Sequence, residues 1–321
     1  MEYRNLGKSG LKVSALSFGT WVTFSNQIDV GLAVRCMGIA YDRGVNFFDN
    51  AEVYAAGQSE VIMGEALRKL GWKRDTYCVS SKVFWGGDAP TQRGLSAKHV
   101  YDACHAAMKR LQVDYLDLYF CHRPDPETPI LETARAMNHL ILQGKVLYWG
   151  TSEWTAEQLS EAFSLCEQNH LIPPTMEQPE YNMFQRQKVE SDYLPLYDKG
   201  LGTTIWSPLA SGILTGKYND GVPAGSRMDL PNFAWLREQL ESPDGQKKLQ
   251  ITRKLSALAK ELGVSMTLLA IAWCLRNPHV STVILGASRP EQLEENFKAL
   301  EVQSLFDPSV VSRIDTILAD S

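Results

Sequence analysis

Leu16-Ser17-Phe18-Gly19-Thr20-Trp21 decides the fold. Leu16–Phe18 reads as a short strand buried on both faces, and it leads into one glycine, a threonine and a tryptophan. A doubly wound sheet that holds a dinucleotide carries G-x-G-x-x-G at this point, because the chain must turn tightly and approach a pyrophosphate closely. No such fingerprint follows Phe18. The first strand therefore belongs to a different arrangement of parallel strands.

Working outward, seven further β-rich apolar runs follow: Val45–Phe48, Tyr77–Ser80, Leu116–Cys121, Val146–Gly150, Thr175–Glu177, Thr203–Trp206 and Thr282–Leu285. Amphipathic stretches alternate with them at Leu32–Tyr41, Ser59–Leu70, Ser96–Leu111, Pro129–Leu142, Thr155–Cys166, Ser265–Leu275 and Pro290–Leu300. Thr155 with Gln158 reads as a capping box, and Pro129 reads as the first residue of a helix capped by Thr128. The spacing is roughly 30 residues, the length of a βα unit. It breaks once, between Trp206 and Thr282, where the Gly/Pro/Asp-rich stretch Leu209–Asn232 and then helical segments form a long insertion. Gly216-Lys217 in that stretch superficially resembles a phosphate loop, but the glycine spacing is too short and Tyr218 stands where Ser or Thr is needed. The expectation is an α/β chain forming one (β/α)8 barrel domain over residues 1–321, with the insertion after the seventh barrel strand.

The 321 residues are 44% hydrophobic and 21% charged, with a net charge of −5 and no basic stripe. A nucleic-acid or anionic-membrane surface finds no support in that balance. The start, Met1-Glu2-Tyr3-Arg4-Asn5, has no apolar run of the signal-peptide kind. The longest apolar run, Leu268–Leu275, falls far short of the roughly 20 residues a membrane helix needs. Cys36, Cys78, Cys104, Cys121, Cys166 and Cys274 stand singly, without a C-x-x-C pair. A cytoplasmic protein with reduced thiols, no metal site and no membrane insertion is expected.

In (β/α)8 barrels, chemistry sits at the C-terminal ends of the strands. The second barrel strand ends in Asp49, with Tyr54 close behind; the third ends at Lys82, and His122 follows the fourth. A phenol, an ammonium, a carboxylate and an imidazole together suit carbonyl reduction by hydride. Negative charge builds on the carbonyl oxygen, and Tyr54 can supply the proton. An ordinary tyrosine pKa of about 10 is high for this work, so Lys82 is expected to lower it, with Asp49 holding Lys82 and His122 orienting the carbonyl. Each residue alone has a blander reading: an ion pair, a packing tyrosine, a loop histidine. Their joint placement on consecutive strand ends carries the assignment. His99, His105, His139, His170 and His279 show no ligand spacing and receive no role. Trp21, Tyr54, Phe84, Trp85, Trp154 and Trp206, with His122, are the candidate walls of a substrate pocket suited to apolar aldehydes and ketones.

The segments Phe48-Asp49-Asn50-Ala51-Glu52-Val53-Tyr54, Ser81-Lys82 and Cys121-His122-Arg123-Pro124-Asp125 resemble the aldo-keto reductases, and the likeness runs from Tyr3 to the last helix. Gly19-Thr20-Trp21-Val22-Thr23-Phe24, Val83-Phe84-Trp85-Gly86-Gly87, Tyr148-Trp149-Gly150-Thr151-Ser152, Trp206-Ser207-Pro208-Leu209-Ala210 and Ala270–Asn277 resemble the voltage-gated potassium channel β subunits and their plant and microbial relatives. Animal members of that subgroup carry Asn in place of His122 and Arg in place of Glu153. The resemblance implies the roles argued for Tyr54, Lys82, Asp49 and His122, an N-terminal hairpin (Tyr3–Leu6 and Leu11–Val13) closing the barrel bottom, and an insertion that covers the cofactor.

It also implies an NADPH site. Ser152 and Gln178 would meet the nicotinamide carboxamide, with Thr20, Trp21, Gln27 and Asp49 beside it. Trp206, Ser207, Pro208, Leu209, Ala210 and Ser211 would line the cofactor, and Lys217 and Arg227 would clasp its phosphates and adenosine. Gly286, Ser288, Gln292, Glu295 and Asn296 match the adenosine-ribose site. The helix that follows has an N-terminus whose free N–H groups and dipole favour a phosphate, and Ser288 and Arg289 at that point can bind a 2′-phosphate, which favours NADPH over NADH. Residues alone leave an even choice there, since Ser288 could merely cap the helix and Arg289 be a solvated charge. Three functions follow as expectations: an NADPH-dependent carbonyl reductase, a potassium-channel accessory subunit using bound NADP(H) as a redox gauge, or a barrel that binds NADPH without turnover. The resemblance further suggests a homo-oligomer, a tetramer.

Overall fold

In the computed structural model the described residues are 1–21, 29–287 and 289–319. Gln27 and Ser288 of the expected cofactor site lie outside them. The strands are β1 Tyr3–Asn5, β2 Lys12–Ser14, β3 Leu16–Gly19, β4 Phe47–Asp49, β5 Cys78–Val83, β6 Leu116–Cys121, β7 Val146–Ser152, β8 Met176–Gln178, β9 Gly202–Ile205 and β10 Val280–Leu285. The α-helices are α1 Val30–Asp42, α2 Gln58–Leu70, α3 Ala97–Leu111, α4 Ile130–Leu142, α5 Ala156–Gln168, α6 Leu194–Tyr197, α7 Ala234–Glu241, α8 Pro243–Glu261, α9 Met266–Leu275, α10 Pro290–Phe297 and α11 Pro308–Ala319.

Strands β3 to β10 pair in parallel, each with its successor, and β10 closes onto β3. This is the expected (β/α)8 barrel. The eight expected strands each fall on one of these, because runs buried on both faces are what a helix-covered parallel strand requires. Helix starts follow local chemistry: Asp29, Ser96, Thr155 and Ser265 accept from backbone N–H groups of α1, α3, α5 and α9, and Thr155–Gln158 is a true capping box. Two details differ. Pro129 is the cap position of α4 rather than its first residue, because Thr128 turns its hydroxyl to Asp125 instead of the helix. Helix α10 ends at Phe297, and a 3-10 turn covers Lys298–Leu300.

The chain divides into two compact units. The first (Met1–Pro179, Gln187–Trp206 and His279–Glu294) holds every barrel strand and the N-terminal hairpin. The second comprises Glu180–Arg186, Ser207–Pro278 and the chain from Glu295 onward. Within it the insertion is a series of 3-10 turns followed by α7 and α8, built around Tyr218, Met228, Leu236, Leu240 and Leu249.

The antiparallel hairpin β1–β2 closes the floor of the barrel. Leu6 and Val13 are buried in one apolar cluster with Phe47, Leu118, Phe120, Met176 and Ile284 from the barrel strands. Hydrogen bonds tie the edge of this plug: Lys8 N–H donates to the Gly200 carbonyl (3.1 Å), and the Arg4 guanidinium donates to the Val280 carbonyl (2.9 Å). A Cβ on Gly202 would lie 2.4 Å from the Gly7 nitrogen and 2.8 Å from the Leu6 carbonyl carbon. Only glycine allows that approach.

One barrel carboxyl lacks full compensation. Glu177 on β8 sits opposite Thr151 on β7, whose hydroxyl donates to its Oε2, while its buried Oε1 has no partner among the described residues. Burial pushes this carboxyl from the usual 4.5 up to about 8. No single described helix is long and apolar enough to cross a membrane.

Gly202→Ala is expected to destabilise the protein by about 1–3 kcal/mol in urea unfolding, the range for forced overpacking. An unchanged midpoint would show that the hairpin does not press on the strand. For Glu177 the sign follows from its raised folded-state value. The unfolded state deprotonates first, so stability is lost as pH rises from about 4.5 to about 8. Glu177→Gln removes that loss. Its melting temperature relative to wild type should therefore be higher at pH 8.5 than at pH 5; an equal difference at both pH values would count against the buried, protonated carboxyl.

Candidate active site

Four strand-end residues of the first unit converge. Asp49 ends β4, Lys82 lies near the end of β5, and His122 follows β6, its N–H bonded to the Val83 carbonyl at 3.0 Å. Tyr54 opens a tight 3-10 turn in which Ala55, Ala56 and Gly57 all take left-handed backbone (φ 49°, 53° and 85°). The two alanines pay no glycine-like discount there, so this turn carries strain of the kind found at functional sites.

Lys82 is fully buried, and its ammonium donates to Asp49 Oδ2 (2.7 Å), the Asn50 carbonyl (2.9 Å) and the Tyr54 hydroxyl oxygen (3.1 Å). Three N–H groups thus meet three acceptors. Because Tyr54 accepts from Lys82, its own O–H remains available, and no described residue accepts it. Asp49 is saturated as well: its Oδ1 accepts from Ser80 (2.8 Å) and from the Gln178 amide (3.2 Å).

The electrostatics correct one expectation. Burial, reinforced by the Asp49 charge and opposed by Arg123, holds the Tyr54 phenol well above its usual range instead of below it. Burial lowers the Lys82 ammonium, and Asp49 works against that fall. Burial and then the Lys82 and Arg123 charges keep the His122 imidazole well below its usual value. At neutral pH the site holds a protonated phenol and an uncharged imidazole whose buried Nδ1 has no partner among the described residues.

The rings line up as a wall. Tyr54 and His122 lie 5.8 Å apart, His122 and Trp85 5.2 Å, and Trp85 and Phe84 4.7 Å, all edge to face. Trp21, 43% exposed, meets Trp206 edge to face at 6.2 Å. The Trp206 indole N–H donates to Glu153, which is itself clamped by Lys188. Trp154 does not join this wall. It is buried and lines a separate cavity of about 250 Å³ with Leu95, Pro129 and Gln158.

Of the expected cofactor residues, Thr20, Asp49, Ser152 and Gln178 are one connected set. Thr20 donates to the Asp49 carbonyl (3.0 Å), Ser152 to the Gln178 carbonyl (2.8 Å), and Gln178 to Asp49 and to Thr204 (3.3 Å). The Ser152 O–H and both Gln178 N–H groups are already donated within the set. No described residue donates to Gln178 Oε1, so the two side-chain oxygens are what the set offers, and they fit the N–H groups of a carboxamide. Pro208 and Leu209 belong to the second unit, where Ser207, Ala210 and Ser211 take left-handed backbone (φ 56°, 47° and 56°), strain concentrated on the segment expected to line the cofactor. In that unit Lys217 lies over the Tyr218 ring, Arg227 is lowered by burial, and Asn296 is buried on α10 with Glu295 one residue before it. Gly286 is exposed beyond β10, and Gln292 lies in the first turn of α10.

The sequence reading missed Ser80, Asn50, Arg123 and His99. Ser80 was findable, since it lies two residues before Lys82 and so shares its face of β5. His99 carries no strand-end signal, yet it is buried against Glu52 (3.4 Å) and the Gly94 carbonyl (2.8 Å). Glu52 in turn holds the Phe84 N–H at 2.7 Å, tying the Trp85 loop to the segment that carries Tyr54.

The sequence matches the Aldo/keto reductase family over residues 15–319. It is also 53% identical over 320 residues to a probable voltage-gated potassium channel subunit beta of Arabidopsis thaliana, covering 99% of this chain and 97% of that protein. A protein of the same description from Oryza sativa subsp. japonica is similar to the same extent, 53% over 320 residues. With this match across nearly its whole length, the chain belongs to the aldo/keto reductase family.

Proposed function

We propose that this chain is an NADPH-dependent carbonyl reductase that converts aldehydes and ketones to alcohols, with residues 1–321 working as one catalytic domain. The observation that carries this reading is the Lys82 ammonium, which donates to Asp49, Asn50 and Tyr54 at once and so leaves the Tyr54 proton free beside an uncharged His122. When bound, NADPH supplies the hydride. Ser152, Gln178, Thr20, Trp21 and Asp49 would hold its nicotinamide. The 206–211 segment with Gln27, Lys217, Arg227, Gly286, Ser288, Gln292, Glu295 and Asn296 would hold the rest.

His122 donates to the carbonyl oxygen and orients it between imidazole and phenol. As the carbonyl carbon gains the hydride pair, the C=O π electrons move onto oxygen, and that oxygen takes the Tyr54 proton. Lys82 stabilises the phenolate left behind until solvent returns a proton. The high phenol pKa serves this role, since it keeps the acid loaded throughout the neutral range.

A second reading, an accessory subunit of a potassium channel that uses bound NADP(H) as a redox sensor, rests on the similarity to the two plant proteins described as probable voltage-gated potassium channel beta subunits. The two readings are compatible, and both place the protein in the cytoplasm as a homo-oligomer, a tetramer in our proposal.

With 4-nitrobenzaldehyde as substrate, Tyr54→Phe should lose on the order of a hundredfold or more in kcat while still binding NADPH, as expected for loss of a general acid. Wild-type kcat should stay flat from pH 6 to 8.5, because neither Tyr54 nor His122 titrates there. Equal turnover by both proteins would exclude Tyr54 as the acid, and negligible turnover by both would leave a sensory or structural nucleotide site. For the second reading, co-elution with the cytoplasmic domain of a potassium channel from the same source is expected in gel filtration; separate elution across the candidate channels would count against it.

A further inference from the structure

Arg123 follows His122 directly, and the carbonyl reduction proposed above gives it no role. Its guanidinium lies 5.5 Å from the centre of the Trp85 ring, and Trp85 stacks edge to face on His122. One nitrogen, Nη1, donates to the His122 carbonyl and lies 3.4 Å from the Ser152 hydroxyl. Its Nε and Nη2 groups have no partner among the described residues, and no described carboxylate forms an ion pair with it. The acid nearest in sequence, Asp125, is committed elsewhere: its oxygens accept from Leu95 N–H (2.7 Å), Thr128 (2.7 Å) and Glu127 N–H (3.0 Å). The other charges nearby are spoken for as well. Asp49 neutralises Lys82, Glu52 faces His99, and Glu153 faces Lys188.

The charge of Arg123 reaches the reacting groups, since it acts on both the Tyr54 phenol and the His122 imidazole. An arginine anchored by one nitrogen presents the rest of its planar fork, and that geometry matches a carboxylate with two parallel N–H···O bonds. A half-buried cation with no counter-ion among the described residues, set against an aromatic ring, also attracts anions from solution, the more so because the ring lowers the local dielectric.

We propose that Arg123 selects carbonyl substrates that carry a carboxylate, placed a ring's breadth or a short chain away from the aldehyde carbon. The inference rests on the reductase reading and names its substrate class. Chemistry at the carbonyl is unchanged: hydride adds to carbon, the oxygen takes the Tyr54 proton, and the carboxylate is a spectator held by Arg123. Neutral aldehydes of the same shape still enter, but they lose the ion pair.

The test compares 4-carboxybenzaldehyde with its neutral methyl ester on wild type, Arg123→Met and Arg123→Lys. Wild type should favour the acid by about tenfold in kcat/KM, chiefly through KM, and the preference should shrink as salt screens the pair. Arg123→Met should lose the preference whatever happens to overall activity, because the ratio of the two substrates cancels any common loss. Arg123→Lys should keep part of it. A readout independent of turnover is benzoate binding, followed by tryptophan fluorescence: wild type should bind at least tenfold more tightly than Arg123→Met. Turnover of the ester with no preference for the acid, or the same preference in Arg123→Met, overturns this inference alone. Absence of turnover with both compounds removes the reductase reading and this inference with it.

Discussion

A single buried ammonium organises the C-terminal strand ends at the candidate site of this barrel. Lys82 has no access to water, and a charge in that position is tolerated only if every N–H finds a partner. The three partners come from the neighbouring strand end and the strained turn after it: Asp49, the Asn50 carbonyl and Tyr54. Losing Asp49 would leave the buried charge uncompensated, and losing the Asn50 carbonyl or Tyr54 would leave a buried N–H without its acceptor. The left-handed backbone at Ala55, Ala56 and Gly57 is the local strain that accompanies this placement.

The surroundings of this ion pair are polarised in a consistent sense. Burial raises the Tyr54 phenol and depresses the His122 imidazole, which keeps the phenol protonated and the imidazole neutral through the neutral range. Two cations act on His122, and one of them, Arg123, lies against the Trp85 ring that meets His122 edge to face. The wall is fixed from behind. Glu52 reaches from the Tyr54 segment to the Phe84 N–H and to His99, and a Cβ on Gly86 would collide with His99 Nε2 at 2.8 Å. His99 stays above its ordinary pKa although burial opposes its charge, because Glu52 and the Gly94 carbonyl favour the charged form. The loop that carries Trp85 is thereby tied to the turn that carries Tyr54.

At the opposite end the barrel is closed by its own N-terminus. Leu6 and Val13 fill the floor between the strand starts, and the Gly7–Gly202 approach lets the hairpin backbone seat directly on β9. A closed floor leaves the strand C-termini as the end where side chains can face a ligand.

The amino-acid sequence alone determined the barrel, its strand positions and the strand-end tetrad. Runs buried on both faces have a distinctive pattern, and a residue's place at a strand end is a property of local order. The alternation of β5 also contained Ser80, two positions from Lys82. Tertiary structure decided what depends on distance through space. It turned Thr128 toward Asp125 instead of α4, set Trp154 apart from the ring wall, and paired His99 with Glu52 across 47 positions of chain. It also reversed the expected direction of the Tyr54 pKa. The sequence points to the nearby Lys82 charge; in the folded barrel, burial and then Asp49 govern the phenol and outweigh the opposing Arg123 charge, because loss of water acts on every buried group and no residue pattern records its size.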